Sequence, residues 1–136
     1  MEGISIATCD PGFKVASCGF HSSGNANMNI HVSSYTTDGH TCVCDTRDEN
    51  ISQCQAVCVP EEDLRDYHIE QKAGKGIITV ECRKNMQLLG CGYKSSAIGP
   101  TDEYWFAGPA SSHSCVCKNT NGATCYSICA VVRPSS

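Results

Sequence analysis

Twelve cysteines fall into two sets of six with nearly one spacing, and this pattern limits what the 136-residue chain can fold into more than any other feature. Cys9, Cys18, Cys42, Cys44, Cys54 and Cys58 are separated by steps of 9, 24, 2, 10 and 4; Cys82, Cys91, Cys115, Cys117, Cys125 and Cys129 follow with steps of 9, 24, 2, 8 and 4. Four of the five steps agree at an offset of 73 residues, which predicts a tandem duplication. Neighbouring residues keep the register: Cys18-Gly19-Phe20 matches Cys91-Gly92-Tyr93, His40 matches His113, and Cys42-Val43-Cys44 matches Cys115-Val116-Cys117. The two-residue difference falls where Arg47 to Ser52 is shortened to Asn119-Thr120-Asn121-Gly122, and Asn-Gly is a hairpin-turn signal. The organisation expected is one cysteine-rich module over 1–60, a linker over 61–77 and a second module over 78–136.

A cysteine in about one residue of eleven is the density of a disulfide scaffold folded in an oxidising compartment. With 18% charged residues, 7% aromatics and no basic block, the chain lacks the electrostatic footprint of a nucleic-acid binder. No run approaches the roughly 20 apolar residues of a membrane-spanning helix. Met1 to Ala7 is too short and polar for a signal peptide, so the numbered chain is expected to be a mature segment.

Short runs alternate at period two, the signature of strands with one buried face. They are Phe13 to Cys18, Met28 to Val32, Thr41 to Cys44 and Gln55 to Val59. Gly, Ser, Asn and Asp clusters separate them, so an all-β module with tight turns is predicted. Glu61 to Lys72 departs from this: acidic residues follow Pro60, and Leu64 and Tyr67 have loosely helical spacing, which predicts a turn or two of helix.

The Cys-x8-Cys-Gly element with an apolar pair and Gly before its second cysteine (Cys82 to Leu88-Leu89-Gly90-Cys91-Gly92), followed by Cys-Val and a small apolar run ending in Cys, resembles the repeats of a known family. These are the cysteine-rich modules of the C-terminal domain of the proprotein convertase that regulates the LDL receptor, themselves similar to resistin. The resemblance spans nearly the whole chain as two modules. It implies a tandem pair of small jelly-roll-like β-sandwiches with nested bridges: Cys9–Cys58 and Cys18–Cys42 in the first, Cys82–Cys129 and Cys91–Cys115 in the second. The cysteines then left, Cys44 with Cys54 and Cys117 with Cys125, form the third pair of each module. The sequence departs from the family in lacking a cysteine before Cys9 and one after the last of each set, where Val59 and Ala130 stand; both halves of one bridge are missing together. The competing reading, a zinc site built from Cys42, Cys44, Cys54 and Cys58, strands Cys9 and Cys18 and lacks C-x2-C knuckles, so neither metal nor cofactor is expected.

Catalysis finds no frame, because the thiols are consumed in bridges and no G-x-S-x-G, H-E-x-x-H or carboxylate pair is present. Five residues are candidate binding groups. Tyr104, Trp105 and Phe106 form an aromatic run with no counterpart in the first module. Adjacent strand residues point to opposite faces, so at least one of them faces outward or meets another module, unless the strand is shared between two sandwiches. His40 and His113, each two residues before Cys-Val-Cys, are candidates for partner binding or a pH switch, against the plainer role of turn imidazoles. Asn50-Ile51-Ser52 is a glycosylation sequon that would place a glycan on Asn50.

Charge is uneven: residues 1–60 hold two bases and six acids (−4), residues 78–136 five bases and three acids (+2), which favours contact between modules, within a chain or head to tail between chains. The expectation is a secreted, non-enzymatic recognition or adhesion protein. It would bind an extracellular protein, with possible homo-oligomers, through the loops Gly19 to Thr41 and Gly92 to Ser114. The alternatives are a lectin that takes glycans on Trp105 and a disulfide-rich toxin or effector. Reduction should add about 12 Da to the intact mass, the hydrogens of six opened bridges. Thiols that react with an alkylating agent in the unreduced native protein would contradict the scaffold.

Overall fold

The computed structural model describes residues 4–23, 33–45, 51–95 and 105–132. Their regular structure is strand throughout, apart from one 3-10 turn at Glu61–Asp63. The strands are β1 (Ile4–Thr8), β2 (Phe13–Ser23), β3 (Ser33–Tyr35), β4 (Thr41–Asp45), β5 (Ile51–Pro60), β6 (Leu64–Glu81), β7 (Gln87–Ser95), β8 (Trp105–Pro109) and β9 (Ser114–Val132). Three of the four alternating runs lie in β2, β4 and β5; Met28 to Val32 falls outside the described residues.

A seven-stranded sheet runs β1-β4-β3-β7-β9-β6, with β8 also bonded to β9, and β2 and β5 form a second sheet. The pairings recur along the chain. Ile6 faces Val43 as Thr79 faces Val116, Tyr35 faces Val43 as Gly108 faces Val116, and Cys18 faces Ala56 as Cys91 faces Ser127. The chain contains the six bridges Cys9–Cys58, Cys18–Cys42, Cys44–Cys54, Cys82–Cys129, Cys91–Cys115 and Cys117–Cys125, and no free cysteine. Four of them are the pairs that the resemblance implies, and Cys44–Cys54 and Cys117–Cys125 join the cysteines that it leaves over.

Two expectations change. Leu64 to Lys72 is not helical: after the 3-10 turn the chain enters β6, which pairs with β9 from Leu64↔Val132 onward. β9 offers an open row of backbone groups, and pairing with it outweighs the weak helical spacing. The segment expected as a linker is thus a sheet strand. A bulge between Arg65 and His68, with Asp66 at φ 56°, re-aims Tyr67. Asn121-Gly122 makes no two-residue hairpin, because both flanks bond to the same neighbour, Gly76↔Asn119 and Gly74↔Ala123. The β6–β9 ribbon bends there as a unit, at Gly76 (φ 81°) and Gly122 (φ 111°). Eight strand residues would span about 26 Å if straight, yet the Cα atoms of Cys117 and Cys125 lie 5.7 Å apart, so the bend is sharp.

The two halves meet through β3 and β7, which pair at Ser34↔Tyr93, and through side chains around them. Tyr67 donates its hydroxyl to the Val15 carbonyl at 2.5 Å, its ring lies under Lys14 and presses on Gly39, and Tyr35 stacks on Tyr126 with centroids 5.4 Å apart. Ile128 is sealed at 1% exposure in a cluster with Cys9, Val15 and Cys42. Gly90 makes the approach possible, since a Cβ there would collide with the Ala16 carbonyl and sit 2.6 Å from the Ser17 Cβ. Gly90→Val is expected to cost about 1–3 kcal/mol by overpacking, read as a fall in Tm of several degrees, whereas Gly19→Ala, facing open space, should leave Tm within about 1 °C. Equal losses from the two would refute the close-packed seam.

Candidate functional site

An open groove of about 710 Å³ lies between β7 and the end of β8. Leu88, Leu89 and Gly90 form one wall, Pro109 and Ser112 the other, with Val132 at one end. β7 supplies the first wall because its neighbour β9 holds it through Leu88↔Cys129 and Gly90↔Ile128, with a bulge between them. β8 is held only by β9, through Trp105↔Asn119 to Pro109↔Cys115, so its far edge carries no strand among those described.

The structure therefore brings part of the aromatic run to the groove's strand: Trp105 and Phe106 open β8, and Tyr104 lies outside the described residues. The strand shared between the two halves is β3, not the aromatic strand. Asn50 also lies outside the described residues.

His40 and His113 do equivalent work on the backbone. The His40 carbonyl accepts the Cys9 N–H at 2.8 Å and the His113 carbonyl accepts the Cys82 N–H at 2.6 Å, tying each turn to the first cysteine of its set. Preceding side chains shape both turns. Asp38 Oδ1 accepts from the His40 and Thr41 N–H groups at 2.7 and 2.8 Å, and Ser111 Oγ accepts from the His113 N–H at 3.1 Å. The imidazoles then diverge. His113 donates Nδ1–H to the Met86 carbonyl at 3.0 Å, whereas His40 Nε2 accepts from Lys14 Nζ at 3.4 Å on the surface. The two rings lie in separate turns of separate halves and form no joint site.

A second, polar groove of about 470 Å³ was not signalled by any motif. Asp66, His68, Arg83, Lys84 and Asn85 line it. Glu70 Oε1 stands 2.7 Å from His68 Nε2 and 3.2 Å from Arg83 Nε. The i, i+2 spacing of His68 and Glu70 puts both on one strand face, a signal legible only once 64–81 is read as a strand. Among the described residues no group of three or more His, Cys, Asp or Glu side chains is arranged to hold a metal ion, and no helix is long and apolar enough to cross a membrane.

Three titrating groups are displaced among the described residues, and in one of them, Tyr126, burial raises the phenol with Tyr35 pushing the same way. Burial raises the Tyr67 phenol, and the nearby Asp38 charge pushes it further. Burial also works to raise Asp38, but the N–H donors of His40 and Thr41 and the His40 charge outweigh it and hold the carboxyl below its ordinary 3.8. No protein-family model and no curated protein sequence matches the chain.

A carboxyl depressed in the folded state adds stability that is complete above its unfolded value and is lost as pH falls through the folded one. The Asp38 resonance should thus titrate below 3.8, and Asp38→Asn should shrink the acid-induced fall in Tm. A midpoint above 3.8 would show that the turn does not hold the carboxylate.

Proposed function

We propose that this is a secreted, non-enzymatic recognition protein of the resistin-like class, whose two cysteine-rich modules present loops and an aromatic edge strand to another extracellular protein. The observation that supports it best is the use of every thiol. All twelve cysteines are bridged, in each half first to sixth, second to third and fourth to fifth. That leaves no cysteine nucleophile or thiolate ligand, and fits folding and service in an oxidising extracellular space. The first-to-sixth and second-to-third pairs are those the resemblance to the convertase and resistin modules implies; the fourth-to-fifth pair is an addition to that pattern. What remains for recognition is surface: the open edge of β8, which begins with Trp105 and Phe106, and the apolar groove beside it. Trp and Phe are residue types that anchor protein interfaces.

Trp105→Ala is expected to weaken capture of extracellular proteins from a cell-surface library by tenfold or more, about 1.4 kcal/mol or above, while the six bridges stay intact. A saccharide hit on a glycan array that the same substitution abolishes, with no protein captured, would replace this reading by a lectin.

A further inference from the structure

The apolar groove has a counterpart in the first half of the chain, and that counterpart is occupied. Six residues receive the second half or lie under it. Lys14 caps the Tyr67 ring, Val15 accepts its hydroxyl, Ala16 and Ser17 meet Gly90, Tyr35 stacks on Tyr126, and Gly39 touches Tyr67. Seventy-three positions later stand Gln87, Leu88, Leu89, Gly90, Gly108 and Ser112, and all six line the groove. The groove repeats the acceptor surface of the module contact: Gly90 already meets Ala16 and Ser17 of the first half, while Gln87 and Ser112 stay exposed among the described residues.

The donor surface repeats as well. In the second half Gly90, Gly92, Tyr126 and Ile128 are pressed against the first half. Their counterparts are Ser17, which already meets Gly90, and Gly19, Gln55 and Val57, in the matching register Ser17↔Val57 against Gly90↔Ile128. Where Ile128 is 1% exposed, Val57 is 56% exposed, and a Cβ on Gly19 would meet nothing. The backbone edges complete the match. Ser34↔Tyr93 joins β3 to β7; the counterparts are Ala107 on β8 and Phe20 on β2, strands bonded only to β9 and only to β5 among those described.

We infer that the protein associates head to tail with a second copy of itself, the β2–β5 face around Val57 of one copy seating in the groove beside Leu88, Leu89 and Ser112 of the next. The charges favour this partner: the donor half carries −4 and the acceptor half +2. Such a contact is heterologous, so an open assembly always keeps one free donor and one free acceptor and grows to a ring or a filament. It is weaker than the contact within the chain, because Ser112 narrows the place where Gly39 admits the Tyr67 ring. The expected affinity is on the order of micromolar, weakening as salt rises. The inference uses the groove and β8 edge of the proposed recognition role, so a second copy and another extracellular protein would compete for them.

Sedimentation equilibrium on the full chain tests it, with Val57→Arg on the donor face and Ser112→Arg in the groove, both at exposed positions. The wild type should rise from 14.5 kDa to twice that mass and beyond with concentration. Each variant alone should stay monomeric, with six bridges by mass confirming that it folded. An equimolar mixture of the two should stop at the dimer, since only one intact pair of surfaces remains. A wild type that stays monomeric to about 1 mM, or association that survives either substitution, or a mixture that fails to dimerise, would overturn the head-to-tail contact.

Discussion

The Cys-Val-Cys strands carry this fold. Cys42 and Cys44 are two residues apart on β4, so both point to one face, and both are fully buried. One reaches Cys18 on β2 and the other Cys54 on β5, and the strand thereby staples its sheet to the two-stranded sheet at two points. Cys115 and Cys117 in β9 are also buried and reach Cys91 on β7 and Cys125 beyond the bend of their own strand, within one sheet. Cys9–Cys58 and Cys82–Cys129 then close each half from its start to its end. Closing loops of 24 to 49 residues contributes about 3–4 kcal/mol each by restricting the unfolded chain.

That contribution explains how so little hydrocarbon suffices. Eight of the eighteen buried apolar residues described are cysteines, and large side chains such as Ile128, Tyr93 and Tyr126 are few. Cores of this size are marginal without cross-links. The halves are also unequal. Tyr126 and Ile128 are buried because the first half lies on them, whereas Val57, in the corresponding place, has no such cover. The exposed Val57 on β5 and the open groove beside β7 thus lie at positions that correspond to the two sides of the contact within the chain.

Much of this was legible in the sequence because disulfides and period-two strands are local or count-based signals. The spacing of the cysteines carried the internal register, and the alternation around Cys18, Cys42 and Cys58 located β2, β4 and β5. The sequence misled at Leu64 to Lys72, where strand pairing with β9 overrode helical spacing, and at Asn121-Gly122, where the bend of the β6–β9 ribbon replaced a hairpin. Neither outcome is a property of the segment itself; both depend on β9 having a free edge. The grooves escaped notice for the same reason: Leu88 and Ser112, or His68 and Arg83, are far apart in sequence and become neighbours only through the sheet. His40 and His113 were legible as a repeated pair, but their shared role lies in backbone carbonyls, which residue type does not reveal.

The claim on which the account rests is that two separately stapled halves share one connectivity. Proteolytic mapping of the unreduced protein by mass spectrometry tests it most directly. The account predicts six disulfide-linked fragments, three with both cysteines between Cys9 and Cys58 and three with both between Cys82 and Cys129, paired first to sixth, second to third and fourth to fifth. A single bridge joining a cysteine of one set to a cysteine of the other would contradict it.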